Sequence, residues 1–370
     1  MWKVDWRVTV DGQDATTAMR PYLMSVSVSD RDGTASDAAQ LEFDDAGGQV
    51  KLPRDGAKVQ VHLQGALVFE GVVDAVRSSG SRGGGRILSI NAKGFDAKGK
   101  ATEKQAFHLD DATLQQFMDK AASKAGISTV AIDPAFASIF RDYWSADHDS
   151  FLQLGEKLAR ELGATFKIRG DKAVLAKRGT GSAASGAAMP TVLGEVGRNV
   201  INWSIAPVIS RQKAKATRAR YFDRASASFK QVDVETSIED SEVVDAVSKL
   251  AADEEQARAM AEGRKADDER EGGEGSVQID LAPEAQAEGT FILRGARPGI
   301  DGSYRIVGVT HKADRGGGSV TNLDLKQPGS GAGKDQRQAS IGGGSTSSPE
   351  SPAPTPDIDL SLPGPIDGTP

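Results

Sequence analysis

The stretch Gly94–Thr102, GFDAKGKAT, has the glycine and lysine spacing of a loop that cradles phosphate groups. Such a loop needs a Ser or Thr directly after the lysine to hold magnesium. It also needs a helix that begins there and directs its N–H groups toward the phosphates. Here Ala101 follows Lys100, and the residues beyond show no apolar helical stripe. We therefore expect no nucleotide binding at this stretch.

The cluster Asp147-His148-Asp149 carries side chains of the kinds that bind metal ions. Adjacent residues of an extended chain point to opposite sides, so these three side chains cannot easily converge on one ion. Asp149 has a simpler use as the cap of the helix that follows. The cluster therefore predicts a helix start rather than a metal site.

The remaining reactive residue types do not form a pattern. His62, His108 and His311 lie far apart in the sequence, and hydrogen-bonded structural histidines are the ordinary expectation for them. The chain contains no cysteine, which excludes disulfides, zinc–thiolate sites and thiol nucleophiles. There is no G-x-S-x-G motif and no evident acid–base pair of carboxylates. We predict no catalytic, cofactor-binding or metal-binding residues, no cofactor and no enzyme activity.

Length and charge restrict the class of protein. At 370 residues the chain is expected to form two or three hydrophobic cores. Its 45 Lys and Arg against 52 Asp and Glu give a net charge of −7. This net charge does not favour binding of nucleic acid by the protein surface as a whole. No run of apolar residues is long enough to span a membrane, and the N-terminus lacks the apolar core of a signal peptide. We therefore expect a soluble protein used without secretory export.

Residues 1–98 are predicted to be all β. Apolar and polar residues alternate in six short segments separated by Asp-Gly, Gly-Gly and Pro-Arg-Asp-Gly turns. The segments are Val4–Val10, Leu23–Ser29, Ala39–Phe43, Lys58–Leu63, Leu67–Val76 and Arg86–Ala92. Six short strands with turns of this kind indicate a small barrel or sandwich.

In residues 99–179 the apolar residues recur at helical spacing, which predicts a small α+β domain. Two helices are indicated by apolar residues three and four positions apart, followed by a hairpin at Gly170-Asp171. The predicted limits are Asp110 or Asp111 and Gly126 for the first helix, and Asp149 or Ser150 and Gly163 for the second.

Residues 180–328 return to β patterning after a small polar segment, Gly179–Pro190, which is typical of a flexible loop or linker. One exposed helix is predicted at 239–270. The strand candidates are Val200–Ile205, Ala214–Phe222, Phe229–Thr236, Val277–Ile279, Thr290–Arg294, Ser303–His311 and Val320–Lys326. Residues 329–370, rich in Pro, Gly and Ser, are predicted to form a disordered tail.

One two-strand unit occurs at both ends of the chain. Val72–Lys93 and Val307–Lys326 each contain an alternating run, then Arg-Gly-Gly-Gly, then a second alternating run. We predict that both are hairpins at equivalent positions of duplicated domains. The proposed matches are Val72, Asp74 and Val76 with Val307, Val309 and His311 before the turn, and 87–90 with 320–323 after it. With 42 glycines in the chain, chance recurrence of such hairpins is the alternative.

Several blocks resemble the phage late control protein D family. Pro298–Leu325, with its Asp-Gly-x-Tyr and Val-x-His elements, is similar to a segment near the end of that family. Asp147–Gly179 is similar to the middle block of that family. Two stretches within the first 63 residues are similar to its beginning. The four blocks occur in family order and together span about 1–328.

The resemblance implies a fold and a role. Members of that family form the central hub of contractile phage baseplates. By resemblance, the chain is expected to form a homotrimer, with two tail-tube-like β-barrel domains per chain joined through the α+β domain. The fold class is therefore α+β, mainly β. Such a trimer would adapt the sixfold tail tube to the threefold central spike.

The resemblance also implies partners and a location. They are the tail tube or its initiator protein, the spike and other baseplate proteins, with DNA only as passing cargo. The protein would be assembled in the host cytoplasm and located in the virion baseplate. Two alternatives stay open: the hub portion of a type VI-like secretion spike, and a cell-wall-degrading tail enzyme. Residues 331–370 show no needle-like repeat, which favours a separate spike protein.

Overall fold

The structure is a computed structural model that describes residues 2–33, 36–83, 85–96, 98–207, 214–236, 241–335 and 337. Strands greatly outnumber helices, so the predicted fold class, α+β and mainly β, is confirmed.

The first β domain contains all six predicted strands. Its elements are β1 (Trp6–Val10), β2 (Gln13–Asp14), α1 (Thr16–Met19), β3 (Leu23–Arg31), β4 (Ala38–Asp44), β5 (Lys58–Leu63), β6 (Ala66–Ser81) and β7 (Gly85–Lys93). The strand order is β3-β4-β7-β6-β5-β1. Buried side chains from all six of these strands form one core, so the sheet must curl into a barrel around it. We call this domain the first barrel.

The α+β domain follows. Its elements are a 3₁₀ turn (Lys100–Thr102), β8 (Lys104–Thr113), α2 (Leu114–Ala125), β9 (Thr129–Ile132), α3 (Pro134–Ala137), β10 (Phe140–Ser150), α4 (Phe151–Leu162), β11 (Ala164–Arg169) and β12 (Lys172–Lys177). Strands β8 and β10 form a two-stranded ribbon, and β9, β12 and β11 form a second sheet. The helices pack their apolar faces into a separate core.

Capping residues set the limits of both predicted helices. Thr113 caps α2 and Ser150 caps α4, each through a reciprocal capping box with the third residue of the helix. The predicted cap of α2 at Asp110 or Asp111 is wrong, because the strand β8 continues through both residues. The predicted ends are confirmed, since a glycine in the left-handed conformation follows each helix.

The last part of the chain contains a second β domain and an insert. The elements are β13 (Thr191–Glu195), β14 (Val200–Ala206), β15 (Ala216–Asp223), β16 (Ser228–Glu235), β17 (Val244–Ala251), α5 (Glu254–Arg270), β18 (Glu274–Asp280), β19 (Thr290–Arg294), β20 (Gly302–Asp314) and β21 (Gly318–Lys326). The order β14-β18-β21-β20-β19-β13 surrounds a third core. We call this domain the second barrel.

The insert between β14 and β18 corrects the prediction of one helix at 239–270, of which residues 239 and 240 lie outside the described residues. The chain instead forms β17, which pairs in parallel with β15, and only then the helix α5. Asp253 caps α5 by accepting a hydrogen bond from the N–H of Gln256 at 2.7 Å. The helix packs on the sheet β16-β15-β17 and makes a small fourth core.

Two predicted flexible segments are ordered where the structure describes them. The segment Gly179–Pro190 is a compact turn with a bridge between Ser182 and Ala188, and Ala184 is buried. The prediction of a disordered tail is wrong for residues 329–335, because this part of the chain packs against the turn before β20 and buries Ala332. Residues 338–370 lie outside the described residues.

Candidate assembly interface

The two barrels meet edge to edge in one sheet. Residues 308–314 of β20 pair antiparallel with residues 25–31 of β3, and we call this pairing the inner junction. Ala313 of the second barrel is fully buried within the core of the first. The sheet therefore runs without interruption through eight strands, in the order β14-β18-β21-β20-β3-β4-β7-β6.

The two Arg-Gly-Gly-Gly units occupy equivalent turns. Both connect antiparallel neighbours, β6 to β7 and β20 to β21. The last residues paired across the turn are Ser81 with Gly85 in the first barrel and Asp314 with Gly318 in the second, so both turns contain three residues. Gly85 and Gly318 both have positive φ, +77° and +94°, which favours glycine at this position.

Both hairpins also carry a β-bulge at the same distance before the turn, at Asp74 and at Val307. The predicted equivalence of 87–90 with 320–323 is confirmed by this alignment. The predicted match of Val307 with Val72 is wrong by two residues, because the bulge aligns Val307 with Asp74. Shared turn length and shared bulge position make chance recurrence of a glycine-rich hairpin a poor explanation.

The duplication extends to the complete barrels. The first barrel has the strand order β3-β4-β7-β6-β5-β1, and the second has β14-β18-β21-β20-β19-β13. With the short strand β2 left out, the strands at corresponding places in the two lists also follow one another along the chain in the same order. The outermost pair differs, since β1 and β5 are antiparallel whereas β13 and β19 are parallel. The insert lies between β14 and β18, whereas the corresponding strands of the first barrel, β3 and β4, are separated only by residues 32–37.

His311 lies in the inner junction and is buried. Its Nδ1 atom is 3.0 Å from the hydroxyl oxygen of Thr321 on the neighbouring strand. Burial lowers the pKa of His311 to about 4, against a weaker opposing hydrogen bond to the backbone of Ala285. The imidazole is therefore neutral at physiological pH and serves as a hydrogen-bonded structural histidine, as expected.

A buried ion cluster connects the inner junction to the other units. The guanidinium of Arg270, at the end of α5, donates to Glu288 of the second barrel at 3.0 Å and to Asp32 of the first. Arg178, after β12, contacts the same Asp32 carboxylate at 3.3 Å and Asp267 of α5 at 2.9 Å. The first barrel, the α+β domain, the insert and the second barrel thus all contribute to one cluster.

A second group of charges lies beside it. The ammonium of Lys167 on β11 contacts the carboxylates of Asp30 and Asp37 of the first barrel, and Arg169 donates to Asp37 at 2.7 Å. Burial lowers the pKa of Lys167 to about 7 and raises the pKa of Asp37. Burial disfavours the charged form of each group, and the oppositely charged partner stabilises it.

The sequence did not predict either group of charges. Asp32 and Arg270 are 238 positions apart, and no short motif connects residues at that separation. One sequence signal was available: charged residues alternate with apolar ones on β11, at Lys167 and Arg169.

The phosphate-loop motif is built differently from a nucleotide site. In the described part of Gly94–Thr102, Lys100 opens a single 3₁₀ turn that leads directly into β8. Lys98 pairs with Asp55. The backbone N–H groups therefore do not converge as they do at the start of a helix.

The candidate metal cluster lies on a bulged strand. His148 is the bulge residue of β10, with φ of +56°, and Asp149 pairs with Lys157 at 3.1 Å. Asp149 does not cap α4, since Ser150 does so. Among the described residues, no group of three or more His, Asp or Glu side chains is arranged to hold a metal ion.

The other two histidines are not brought together. His62 is in β5 and His108 is in β8, where its ring stacks on that of Tyr143 with centroids 5.8 Å apart. In the part of the chain that the structure describes, no helix combines the length and the apolar character needed to cross a membrane.

Comparison with known proteins gives sequence relatives for half of the chain. It is 28% identical over 193 residues to the probable baseplate hub protein of Escherichia phage P2, and 26% identical over 185 residues to that of Escherichia phage 186. These matches cover 51% and 50% of the chain, and the chain spans about half the length of the curated relatives it matches, 49% and 47%. No family model matches the chain.

Solved structures share the fold over most of the chain. A 43 kDa tail protein of prophage MuSo2 from Shewanella oneidensis superposes with a TM-score of 0.65 at 15% identity, covering 87% of this chain and 98% of that one. A tail protein from Neisseria meningitidis superposes with a TM-score of 0.63 at 16% identity, covering 88% of this chain and 96% of that one. A component of the E. coli type VI secretion system superposes with a TM-score of 0.56 at 12% identity, covering 89% of this chain and 79% of that one.

Sequence and fold agree on the relationship. The proteins similar in sequence are probable baseplate hub proteins, and the proteins that share the fold include a prophage tail protein. The duplicated barrels follow the pattern that the family resemblance implied. Over half of its length, the chain is similar in sequence to the probable baseplate hub proteins of these phages, as its sequence indicated.

Proposed function

We propose that this chain is the baseplate hub of a contractile phage tail or tail-like particle, and that it acts as a homotrimer. The observation that carries the proposal is the pair of equivalent barrels joined by the inner junction. Three chains supply six barrels, so one ring has both threefold symmetry and an approximate sixfold repeat. Such a ring fits a sixfold tube on one face and a threefold spike on the other.

The ion cluster supports a rigid role. It fixes both barrels, the α+β domain and the insert relative to one another through buried, paired charges. A symmetry adaptor needs this rigidity, because any rotation between the two barrels of one chain would spoil their approximate equivalence. The partners we propose are the tail tube or its initiator, the spike and other baseplate proteins. DNA passes through the ring as cargo.

The second candidate is the hub portion of a type VI-like secretion spike. The fold shared with the type VI secretion component favours it. The ring would be the same, and only the particle would differ. The curated relatives come from phages, which favours a phage or phage-like tail and a location in the virion baseplate.

Light scattering tests the trimer. We expect particles of three times the chain mass of 38.8 kDa, either alone or when the tube or spike partner is added. A stable hexamer, or a monomer that persists with both partners present, would contradict the proposal.

The role we propose is structural, without enzyme activity. A zymogram on peptidoglycan distinguishes this role from that of a wall-degrading tail enzyme. We expect no clearing at the position of this chain, and a cleared band would favour the enzyme.

A further inference from the structure

The first barrel has a cavity of about 690 Å³ at one end. Its floor belongs to the barrel core, since Phe43, Val59 and Val73 are each no more than 2% exposed. Its walls are the single-turn helix α1 and the connection between β4 and β5, residues 45–57. An apolar cavity of roughly 150 Å³ takes up one benzene-sized molecule, so this cavity has room for several aliphatic side chains.

The second barrel closes the equivalent end with its own chain. Residues 281–289, between β18 and β19, are the counterpart of the connection 45–57. They bury Ala287 as well as Ala285, which belongs to the core of the second barrel. In the first barrel, the connection leaves Leu52 60% exposed beside the cavity. The duplication therefore contains one covered and one open form of the same barrel end.

The connection 45–57 also has backbone groups that are not used. Lys51 and Leu52 lie outside the strands, and their N–H groups donate to no acceptor within the described part of the chain. Such backbone groups can pair with an added extended segment, whose alternate side chains then enter neighbouring pockets. The open barrel end therefore fits an extended peptide with apolar side chains on one face.

Charge at the rim of the cavity favours an acidic peptide. The charged residues that line the cavity are Asp11, Lys51 and Arg54. Arg54 donates to Asp11 through two nitrogen atoms, each at 3.0 Å, so these two charges offset each other. Lys51 forms no ion pair with any described residue, and this leaves one uncompensated positive charge at the rim.

The sequence contains a segment of this chemistry after the described residues. The stretch DIDLSL, residues 357–362, has Ile358, Leu360 and Leu362 at alternate positions, with acidic or hydroxyl residues between them. In an extended strand, side chains at alternate positions point to the same face. Residues 338–370 contain four acidic and no basic residues, so the segment and the rim of the cavity carry opposite charges.

We propose that residues 357–362 dock in the cavity of the first barrel of the same chain. Ile358, Leu360 and Leu362 enter the cavity, and the two aspartates lie at the rim beside Lys51. The segment gives the first barrel the cover that residues 281–289 give the second. This docking does not depend on the proposed trimer or on a role in a baseplate.

The connecting chain is long enough for this docking. The 20 residue steps from 337 to 357 span up to about 66–72 Å when extended. A compact chain of 370 residues has a radius of gyration of about 21 Å, so this tether can reach any side of such a molecule. The chain directly before it already adds to a barrel, because the N–H of Ser303 donates to the carbonyl of Ser330 at 2.9 Å.

Thiol reactivity of the full-length protein tests the docking, because the chain has no cysteine of its own. Leu360→Cys places a thiol inside the cavity, whereas Ser361→Cys places one on the outer face of the same segment. We expect a maleimide to label Leu360→Cys slower than Ser361→Cys by about tenfold or more, and both at the same rate in denaturant. Equal rates in the native protein would overturn the proposal.

Two rim variants show whether this cavity is responsible for the protection. Leu52→Asp adds a negative charge at the mouth of the cavity, where it repels the acidic segment, and the exposed position should tolerate it. Leu67→Asp is the matched control, because Leu67 is 50% exposed on the same barrel and does not line the cavity. We expect only Leu52→Asp to abolish the difference in rate. A difference that survives both variants would place the segment elsewhere and overturn the proposal.

Cross-linking identifies the copy whose segment is bound. Lys51→Cys/Asp359→Cys should form a disulfide within one chain under mild oxidation, seen on a non-reducing gel as a faster band of monomer mass. Lys51→Cys/Ser351→Cys, with its second thiol on the connecting chain, is the control and should cross-link more slowly. Linked dimers would assign the segment to a neighbouring copy. Protection of Leu360→Cys that appears only with a tube or spike protein would assign the binding to that partner, and either result would overturn the proposed occupant.

Discussion

His311 illustrates how much a single buried side chain reveals about the inner junction. The residue is 4% exposed, and the strand of the other barrel covers it. Its neutral form is favoured because burial penalises the imidazolium. Sequence alone predicted a structural histidine here, but not the strand from the other end of the chain that buries it.

The shifted pKa of His311 predicts a pH dependence. The pKa is about 4 in the folded protein and 6.5 for an unperturbed histidine, so the unfolded chain binds the proton first as pH falls. The stabilising contribution is present above pH 6.5 and is lost between about pH 6.5 and 4. Denaturant unfolding should therefore show wild type losing about 3 kcal/mol more than His311→Gln over this range. Parallel pH profiles for the two proteins would contradict the assignment.

Arg270 is the residue on which the ion cluster depends. Its side chain is 5% exposed and lies between the carboxylates of Asp32 and Glu288. Arg270→Met would leave the buried carboxylate of Glu288 without its cation and that of Asp32 with Arg178 alone, and we expect a loss of about 3–5 kcal/mol in unfolding free energy. Arg264→Met, which removes an ion pair from a side chain that is 52% exposed, should cost about 1 kcal/mol or less. Equal losses for both variants would show that the cluster does not stabilise the fold.

At the scale of elements, local patterns predicted strands and helix ends well, and tertiary contacts decided the rest. The six strands of the first barrel and the ends of α2 and α4 follow from alternation and from glycine. The error at 239–270 arose because Val243, Val247 and Leu250 also fit helical spacing. The parallel partner β15 makes the segment a strand, and that partner is not visible in the local sequence.

The crossing of α5 over the end of α4 gives a test at this scale. Gly263 of α5 lies so close to Gly163 that a Cβ atom at Gly263 would be 2.8 Å from the backbone nitrogen of Gly163. Alanine normally stabilises a helix interior by about 1 kcal/mol relative to glycine. Here we expect Gly263→Ala to destabilise the protein by about 1–3 kcal/mol, because the two helices must separate. Thermal or denaturant unfolding measures the change.

The neighbouring variant Glu262→Ala, on the exposed side of α5, is the matched control and should change stability by no more than about 0.5 kcal/mol. A stabilising effect of Gly263→Ala would mean that α5 does not pack against α4 this closely.

At the scale of the whole molecule, the repeated Arg-Gly-Gly-Gly unit predicted the duplication, and the structure extends it to six strands per barrel. The turn was recognisable because positive φ selects glycine at the same position twice. The insert and the ion cluster were not predicted, since their contacts join residues far apart in the sequence. The duplication is also the feature on which the proposed trimer rests.

Electron microscopy of the purified protein, alone and with its spike or tube partner, tests the central claim most directly. We predict a ring of six similar barrel densities from three chains, with threefold symmetry and an approximate sixfold repeat. A ring built from six chains, a ring with another number of barrels, or particles that remain single chains with both partners present would contradict the account.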